Sequence, residues 1–461
     1  MTLIKSISGI RGIIGGRPGH SLTPADIVKF TTGFALWVKK NSAKTNPVIC
    51  VGRDARISGD MVNRIVCGTL TACGCHVIDA GLATTPTVEM AVITTGAQGG
   101  IIITASHNPA QWNALKLLTS AGEFLSDAQG REMLVLSENA SVSYVPVSEL
   151  GTITNDDSFL QRHIDAILAL PAVQKDLIAR QGLIVAVDAV NSVGGIAVPA
   201  LLKALGVKKV IELNCIPDGQ FAHNPEPLAE NLSGLSQLVK NNNAHVGFAV
   251  DPDVDRLAII CEDGSMFGEE YTLVAVADYI LSVSKGNTVS NLSSTRALRD
   301  VTEKYGCSCS FAAVGEINVV QMMKETVAVI GGEGNGGVIY PPLHYGRDAL
   351  VGIALFLSHL AINGLPVSRL RRKYPDYFIS KNKLELAQNI SVEEIFLAIE
   401  KEYAAYTLNR SDGLRIDMPG EWIHLRRSNT EPIIRIYAES STPEKAGMLA
   451  QQIINCIKRL L

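Results

Sequence analysis

The chain has 461 residues, of which 47% are hydrophobic and 19% are charged, and its formal net charge is −4. At roughly 100–200 residues per domain, this length predicts about three or four domains, with enough apolar material to exclude disorder. The slight acidity argues against a nucleic-acid partner or an anionic membrane, either of which would need a basic surface. No apolar run reaches the roughly 18 residues of a membrane helix, and no signal pattern opens the chain, so we expect a cytoplasmic protein without a membrane partner.

The nine cysteines do not predict a metal site or a disulfide framework. Two C-x-C pairs occur, at Cys73/Cys75 and Cys307/Cys309, whereas zinc ligands usually follow C-x₂₋₄-C spacing with further Cys or His nearby. We therefore expect reduced and mostly buried thiols.

Short β-branched runs recur along the chain, and each is followed by a loop rich in Gly or Asp and then by a helical stretch. The predicted strands are Val48–Val51, Ile101–Ile103, Leu183–Val187, Val246–Val250 and Val327–Ile330. Continuous apolar strands that alternate with helices indicate α/β sheets covered on both faces. Ligands of such folds bind at the carboxyl ends of the strands, so the loops that follow them are the candidate sites.

The C-terminal part of the chain has a different pattern. A helix is predicted over 392–404, strands over 413–417, about Trp422 and over 433–438, and a last helix from about Thr442. The fold class is therefore α/β, with three α/β mixed-sheet domains followed by a smaller α+β domain. The polar stretch 137–157 and the composition changes near 263 and 365–375 predict domains over 1–150, 151–260, 261–368 and 369–461.

The first candidate site is the loop Asp251-Pro-Asp253-Val-Asp255, directly after a predicted strand. In an extended segment, residues i, i+2 and i+4 point the same way, and Pro252 favours that geometry at Asp251. Three carboxylates on one side would repel each other unless a cation lay among them, and oxygen ligands suit Mg²⁺ or Ca²⁺. The alternative is a solvated acidic loop.

Two other metal or phosphoryl sites fit this loop poorly. An EF-hand that began at Asp251 would have Glu262 at its twelfth position, but Arg256 stands where the sixth position requires Gly. A haloacid-dehalogenase phosphotransferase usually has Thr or Val four residues after its nucleophilic aspartate, and here that residue is Asp255.

The second candidate is Thr104-Ala-Ser106-His107-Asn-Pro109. Adjacent side chains rarely face each other, so Ser106 and His107 are a poor catalytic dyad, and no nucleophile elbow is present. A serine hydroxyl can instead carry a phosphoryl group, and a phosphoserine oxygen beside three aspartates would complete a Mg²⁺ site. A plain turn that caps a helix is the alternative.

The third candidate is the Gly-rich segment 331–337, which contains a formal G-x-G-x-x-G pattern. A dinucleotide site needs a helix immediately afterwards, but Val338-Ile-Tyr-Pro-Pro342 follows, so we exclude that site. Glu333 and Asn335 in a tight loop suit hydrogen bonds to sugar hydroxyls.

The fourth candidate is the segment from Arg426 to Arg435, which contains several guanidinium groups and two hydroxyls. Arginine binds phosphate in a bidentate manner, so this segment predicts an anion site. A charged surface hairpin is the alternative.

Together these four loops resemble those of the α-D-phosphohexomutases, in the same order and over essentially the whole chain. The resemblance implies three related α/β domains and a smaller fourth domain around a central cleft. It also implies that a phosphoserine passes its phosphoryl group to a hexose monophosphate. A hexose 1,6-bisphosphate is then the intermediate and activator, and one Mg²⁺ per chain is the cofactor.

The resemblance implies a role for each matching residue. Ser106 is the phosphoserine and ligates Mg²⁺ together with Asp251, Asp253 and Asp255. Lys116 assists proton transfer, Arg11 and Arg256 stabilise charge beside the phosphoserine, and His107 is the remaining catalytic candidate. The implied substrate-binding residues are Arg256, Glu316, Glu333, Asn335, Arg426, Ser428, Asn429, Thr430 and Arg435.

This sequence departs from the family pattern in the sugar loop. Many relatives read G-E-x-S-G-H, whereas here Asn335 and Gly337 replace the serine and the histidine. Any proton-transfer role of that histidine must move or be absent, and His344, a few residues on, is better explained as a structural residue.

The substrate is expected to be a small phosphosugar. An acidic residue, Glu316, stands where the mannose- and glucose-specific branch usually has histidine, so we expect glucosamine 6-phosphate and glucosamine 1-phosphate. Mannose or glucose phosphates are the alternative. A non-catalytic sugar-phosphate binder and a phosphatase are weaker hypotheses, and either a monomer or a homodimer is compatible with the sequence.

Overall fold

The computed structural model describes residues 2–6, 9–138, 143–386, 391–427 and 433–460. It separates into two compact units, and each is described by itself below. The first unit comprises Met1–Tyr279 with Asn335–Arg371, and the second comprises Ile280–Gly334 with Arg372–Leu461.

The first unit begins with a seven-stranded mixed sheet, in the order β1-β2-β6-β5-β3-β4-β7. Its strands are β1 (Ile4–Ser6), β2 (Gly9–Ile13), β3 (Val48–Arg53), β4 (His76–Leu82), β5 (Gly99–Ile103), β6 (Trp112–Leu118) and β7 (Ile153–Asn155). Its helices are α1 (Pro24–Ser42), α2 (Gly59–Ala72), α3 (Thr85–Thr95) and α4 (Asp127–Ser137). Strands β3, β4, β5 and β7 run parallel, β6 runs antiparallel to β5, and β2 runs antiparallel to both of its neighbours, β6 and β1. The last strand lies beyond the predicted boundary at residue 150.

A second, four-stranded sheet of the first unit has the order β11-β10-β8-β9. Its strands are β8 (Ile184–Asp188), β9 (Lys209–Leu213), β10 (Val246–Val250) and β11 (Leu257–Cys261). The helices of this region are α5 (Phe159–Leu168), α6 (Lys175–Arg180), α7 (Gly194–Ala204), α8 (Ser233–Asn241) and α9 (Glu269–Val283). Both β5 and β10 are buried along their whole length, which fixes the loops at their carboxyl ends.

The second unit contains a parallel set of strands and an antiparallel sheet. The parallel strands are β12 (Asn287–Asn291), β13 (Cys309–Ala312) and β14 (Ala328–Glu333), and they pack with α10 (Ala297–Lys304) and α11 (Glu316–Glu325). Three further elements return the chain to the first unit, and they are β15 (Gly337–Ile339), α12 (Ala349–Asn363) and α13 (Val367–Arg371).

The antiparallel sheet of the second unit has the order β16-β20-β19-β18-β17. Its strands are β16 (Phe378–Glu385), β17 (Thr407–Asn409), β18 (Leu414–Met418), β19 (Glu421–Arg427) and β20 (Ile433–Ser440), and its helices are α14 (Val392–Glu402) and α15 (Pro443–Leu460). The four sheets confirm the predicted fold class, and the C-terminal elements lie within a few residues of their predicted bounds.

Two helices that pack on the first sheet, α1 and α3, begin with a side-chain cap. Thr23 caps α1 through a capping box with Asp26, and Thr84 caps α3 by accepting a hydrogen bond from the Thr87 backbone N–H. The capped start of α3 holds Thr84, Thr85 and Thr87 in fixed positions.

Two sequence expectations concern the whole chain. All nine cysteines are free, and none is exposed, as predicted. Across the described ranges, no helix has both the length and the apolar character that crossing a bilayer requires.

Candidate functional site

The phosphoserine candidate Ser106 lies in a tight loop after β5. The Thr104 hydroxyl donates to Asp54 Oδ2 at 2.6 Å and accepts a hydrogen bond from the Ser106 backbone N–H at 2.9 Å. Ser106 has a φ of 49°, a left-handed conformation that is uncommon outside glycine. Its hydroxyl donates to Asp251 Oδ2 at 2.7 Å, which brings the two loops together.

Arg56 holds this strained loop, and sequence reasoning missed it. Its fully buried guanidinium pairs with Asp54 at 3.0 Å and donates to the backbone carbonyls of Ser106, Asn108, Pro109 and Trp112. One arginine therefore donates to four backbone carbonyl groups and holds the loop together. The sequence did contain one indication of its role, because Arg56 lies two residues after Asp54 in the loop that follows β3, a strand parallel to β5.

The aspartate loop connects β10 and β11 as a compact turn, so the expected extended geometry is wrong. Val254 has a φ of 63°, and Asp251 Oδ1 accepts hydrogen bonds from the backbone N–H groups of Asp255 and Arg256 at 3.1 Å each. The turn, rather than strand alternation, brings the three carboxylates together. Ligand atoms of Asp251, Asp253 and Asp255, the aspartate cluster, lie within 4.8 Å of one another, and all three residues are buried.

Two carboxylate oxygens of the aspartate cluster have no donor. Asp253 Oδ2 accepts from Lys116 Nζ and from Thr85 Oγ1, both at 2.6 Å, and Asp255 Oδ2 accepts from Arg347 Nη2 at 2.7 Å. Asp253 Oδ1 and Asp255 Oδ1 are buried, yet neither accepts a hydrogen bond from any part of the chain that the structure describes. Buried oxygens without donors beside a serine hydroxyl fit a hard divalent cation. Burial and the two neighbouring carboxylates raise the pKa of Asp251 well above its ordinary value.

Three of the predicted cationic residues surround these loops. Arg11 Nη1 donates to Asn108 Oδ1 at 2.7 Å, and Arg256 Nη1 donates to Glu226 Oε1 at 3.2 Å. Burial alone would lower the pKa of Lys116, but the carboxylates of Asp253 and Asp255 outweigh it and raise that pKa. Lys116 is therefore an ammonium ion at neutral pH, able to donate a proton or neutralise charge rather than to accept a proton.

His107 lies closer to Ser106 than we expected for neighbouring residues. Its Nδ1 is 3.3 Å from Ser106 Oγ, because the left-handed conformation of Ser106 turns the two side chains toward each other. Burial, and then the charges of Arg256 and Arg11, lower the pKa of His107 to about 2, so its imidazole is neutral at pH 7.

The predicted sugar-binding residues lie at element ends. In the second unit, buried Glu333 ends β14, where its Oε1 accepts from Asn291 Nδ2 at 2.8 Å and from the Gly315 backbone N–H at 3.1 Å. Glu316 is the first residue of α11 and is also buried. In the first unit, Asn335 Oδ1 accepts from the Gly337 backbone N–H at 3.2 Å.

The predicted phosphate loop joins β19 to β20. Arg426 and Arg435 are directly opposite each other in the strand register, and Arg426 pairs with Asp412 at 2.7 Å. Arg435 is exposed. Ser428, Asn429 and Thr430 lie outside the described residues, so their predicted role stays a prediction.

His344 belongs to a second buried cluster in the first unit. Asp348 Oδ2 lies 2.9 Å from His163 Nε2 and 3.4 Å from His344 Nε2, while His344 Nδ1 lies 3.3 Å from Glu89 Oε2. We call His163, His344, Asp348 and Glu89 the histidine cluster. Burial alone would lower the pKa of His344, but hydrogen bonds to Asp348 and Glu89 raise it to about 10.

Comparison with known proteins identifies the family. The four domain profiles of the phosphoglucomutase/phosphomannomutase family match in order: α/β/α domain I at 3–140, α/β/α domain II at 161–264, α/β/α domain III at 268–377 and the C-terminal domain at 388–455. The chain therefore belongs to the phosphoglucomutase/phosphomannomutase family. It is a phosphosugar mutase, an isomerase that transfers a phosphoryl group within a sugar phosphate.

Individual relatives agree over almost the whole chain. A phosphoglucomutase/phosphomannomutase of Thermococcus kodakarensis is 34% identical over 95% of this chain and 94% of its own length. A probable phosphoglucosamine mutase of Methanopyrus kandleri is 32% identical over 98% of this chain and 97% of its own. The crystal structure of a phosphoglucomutase/phosphomannomutase family protein from Burkholderia thailandensis superposes with a TM-score of 0.83 at 25% identity, covering 99% and 98% of the two chains.

Proposed function

We propose that this enzyme is a phosphoglucosamine mutase, which interconverts glucosamine 6-phosphate and glucosamine 1-phosphate through a phosphoserine at Ser106. The observation that carries the mutase chemistry is the 2.7 Å hydrogen bond from Ser106 Oγ to Asp251, beside two buried carboxylate oxygens to which no described residue donates. A hydroxyl in that position can hold a phosphoryl group next to a divalent cation.

Phospho-Ser106 transfers its phosphoryl group to the free hydroxyl of a hexosamine monophosphate, which gives the 1,6-bisphosphate. The P–O bond to Ser106 breaks as the bond to the sugar oxygen forms, and the proton that Lys116 gives to Ser106 Oγ is replaced by the proton that the sugar hydroxyl loses. After the bisphosphate reorients in the site, its other phosphoryl group is transferred to Ser106 and the product monophosphate leaves. A hexose 1,6-bisphosphate from outside can therefore prime an unphosphorylated enzyme.

The side chains around Ser106 act on charge and on protons. Lys116, as an ammonium ion, neutralises the transferring phosphoryl group and donates a proton to the serine oxygen as it leaves. Arg11 and Arg256 add positive charge on the same side, and Arg56 keeps the loop rigid so that Ser106 Oγ stays aligned. Neutral His107 hydrogen-bonds Ser106 Oγ and helps to orient it.

Asp251, Asp253, Asp255 and Ser106 would hold one Mg²⁺ per chain. When bound, the ion neutralises the negative charge of the phosphoryl group and of the carboxylates. The donors on Asp253 Oδ2 and Asp255 Oδ2 leave one oxygen of each carboxylate for the ion, as is usual when outer residues orient metal ligands.

The aminosugar substrate is proposed from two acidic residues and from the named relatives. Glu333 is a buried carboxylate of the predicted sugar loop and Glu316 is a buried carboxylate at the start of α11, and a sugar ammonium group would pair with one of them. A relative named as a probable phosphoglucosamine mutase supports this choice. We propose that the 426–435 segment binds the phosphate that is not being transferred.

A substrate panel tests the aminosugar assignment. We expect kcat/KM with Mg²⁺ and a bisphosphate primer to be at least about 10-fold higher for glucosamine 1-phosphate than for glucose 1-phosphate or mannose 1-phosphate, since a hydrogen bond to a buried charged group is worth about 1.5 kcal/mol or more. Higher kcat/KM for the neutral sugars would reject it. Those sugars are the second candidate, because the Thermococcus kodakarensis relative is named as a phosphoglucomutase/phosphomannomutase.

Intact-mass spectrometry tests the phosphoenzyme. Incubation with a hexose 1,6-bisphosphate should add about 80 Da to the wild-type chain, the mass of one phosphoryl group, and should add nothing to Ser106→Ala. Ser143→Ala, at an exposed serine, is the matched control and should still gain the mass. Full turnover by Ser106→Ala would reject the mechanism.

A further inference from the structure

Gly337, at the start of β15, has no side chain because another residue occupies the space. An ideal Cβ on Gly337 would lie 2.4 Å from Arg347 Cδ and 3.1 Å from Arg347 Cγ. Gly337 is not among the glycines with positive φ, so its backbone conformation does not by itself require glycine. The stem of Arg347 therefore excludes a side chain at position 337.

The Arg347 stem cannot easily move aside, because it is held at both ends. Its backbone forms an antiparallel bridge with Ile339, and the next residue donates its N–H to the Val338 carbonyl at 2.8 Å. At the other end, Nη2 donates to Asp255 Oδ2 at 2.7 Å, with the Arg347 side chain only 10% exposed. A side chain at 337 would have to break one of these attachments.

Arg347 also adds positive charge to the site. Arg347 Nη2 lies 2.7 Å and Lys116 Nζ lies 3.6 Å from Asp255 Oδ2, so the guanidinium and the ammonium group are beside the same carboxylate oxygen. The Oδ1 atom of that carboxylate lies 3.9 Å from Arg256 Nε and accepts no hydrogen bond from the described residues.

We propose that Arg347 is a positioning residue of the phosphoryl-transfer site, which fixes the Asp255 carboxylate, and that Gly337 is the residue that gives it room. The two positions form an exclusive pair, in which a side chain at 337 and arginine at 347 are incompatible. Arg347 thereby fills the space of the histidine that many relatives carry in the sugar loop. The inference rests on the proposed function for its kinetic consequences, whereas its packing consequence stands independently.

A double-mutant cycle on the metal-free protein tests the packing. We expect Gly337→Ala to lower Tm by about 3 °C or more in the wild-type chain and by less than about 1 °C when Arg347 is already Gly. Gly68→Ala is the control, because a Cβ on that α2 glycine meets nothing within 4 Å. Equal effects of Gly337→Ala in both backgrounds would overturn the exclusive pair.

Kinetics of Arg347→Met and Arg347→Lys test the positioning role. Methionine keeps much of the stem without the charge, and we expect it to lower kcat by about 10–100-fold with little change in KM, since outer residues that orient metal ligands typically contribute that much. Lysine should recover part of kcat. A purely structural residue would tolerate methionine at least as well as lysine, so methionine activity equal to or above that of lysine would overturn the role.

The two proposals fail in different ways. If the wild-type enzyme turned over no hexose or hexosamine phosphate, the proposed function would fail and the Tm cycle would still decide the pairing. If wild-type turnover were normal but the cycle were additive, only the pairing would fail.

Discussion

The aspartate cluster and the histidine cluster are both buried in the first unit, yet their oxygen atoms are used differently. In each, ligand atoms of three residues lie within 4.8 Å of one another, so residue types and spacing alone would give either one as a metal site. In the aspartate cluster, Asp253 Oδ1 and Asp255 Oδ1 have no donor among the described residues. Both oxygens of Asp348 have partners, so it is the aspartates of the two groups that separate them, and a buried aspartate oxygen left for a ligand points to the aspartate cluster as the ion site.

In the histidine cluster, both oxygens of Asp348 have partners within the fold. Asp348 Oδ1 caps α12 by accepting from the backbone N–H groups of Leu350 and Val351, and its Oδ2 faces both imidazoles. His163 Nδ1 lies 3.1 Å from Thr87 Oγ1, and His344 Nδ1 faces Glu89. A protonated imidazole between two carboxylates offsets part of their negative charge within the cluster, so we expect the cluster to stabilise the fold and to bind no ion.

The largest effect should come from the aspartate cluster. Asp251→Asn keeps an oxygen for the two backbone N–H groups but loses the charge, so we expect kcat/KM to fall by about 10³-fold while the metal-free Tm changes little. Steady-state assays and calorimetry with and without Mg²⁺ would measure both. Asp60→Asn, at an exposed aspartate, is the control. If Asp251→Asn kept more than about a tenth of the wild-type kcat/KM, far above the expected loss, the aspartate cluster would not be an ion site.

The same substitution in the histidine cluster should act on stability instead. Asp348→Asn keeps the cap of α12 but leaves protonated His344 with one carboxylate fewer, and breaking a buried ion pair costs about 3 kcal/mol. We expect that loss in the free energy of unfolding, measured by denaturant titration, with kcat/KM within about threefold of wild type below the transition. Unchanged stability together with lost activity would remove the distinction between the two clusters.

The two clusters also show which features of the site could be predicted from the sequence and which could not. Ser106 and the three aspartates come after fully buried strands, so their place behind a strand and their residue types were enough to mark both loops as candidate sites. The extended geometry inferred for the aspartate loop is wrong, because the hydrogen bonds accepted by Asp251 and the left-handed Val254 fold it into a turn. Such local bonds compete with strand geometry without leaving a periodic signal.

Long-range contacts were beyond sequence reasoning. Arg56 and Arg347 look like ordinary charged residues, and only the fold brings one to the carbonyls of the Ser106 loop and the other to Asp255. His344 was expected to be a structural residue, and its acidic partners, Asp348 and Glu89, place it in the histidine cluster. The absent side chain at 337 was visible in the sequence, but its cause, the stem of Arg347, was not.

A pH titration should separate the clusters further. In the folded protein Asp348 and Glu89 face His344, with His163 beside it, and the pKa of His344 is about 10. The folded-state pKa is above the ordinary histidine value of about 6.5. The stabilisation by protonated His344 is therefore complete below about pH 6.5 and is lost as pH rises through about 10. We expect wild-type unfolding free energy to fall between about pH 7 and 10 by on the order of 2 kcal/mol more than that of His344→Gln. Parallel curves for the two proteins would contradict a protonated His344.

The smallest effect compares two threonines on α3, since each bonds a different cluster. Thr85 Oγ1 donates to Asp253 Oδ2 at 2.6 Å, whereas Thr87 Oγ1 lies 3.1 Å from His163 Nδ1. Valine has nearly the same shape as threonine but lacks the hydroxyl. Thr85→Val removes one hydrogen bond, whereas Thr87→Val removes two, to His163 and to Thr84 Oγ1 at 2.7 Å, and each is worth about 1 kcal/mol. We expect Thr85→Val to lower kcat/KM by about 5–10-fold with little loss of stability, and Thr87→Val to cost about 2 kcal/mol of stability with kcat/KM unchanged. If both variants lost activity alike, the histidine cluster would have to be coupled to phosphoryl transfer through α3, and the division between a reactive and a structural cluster would be wrong.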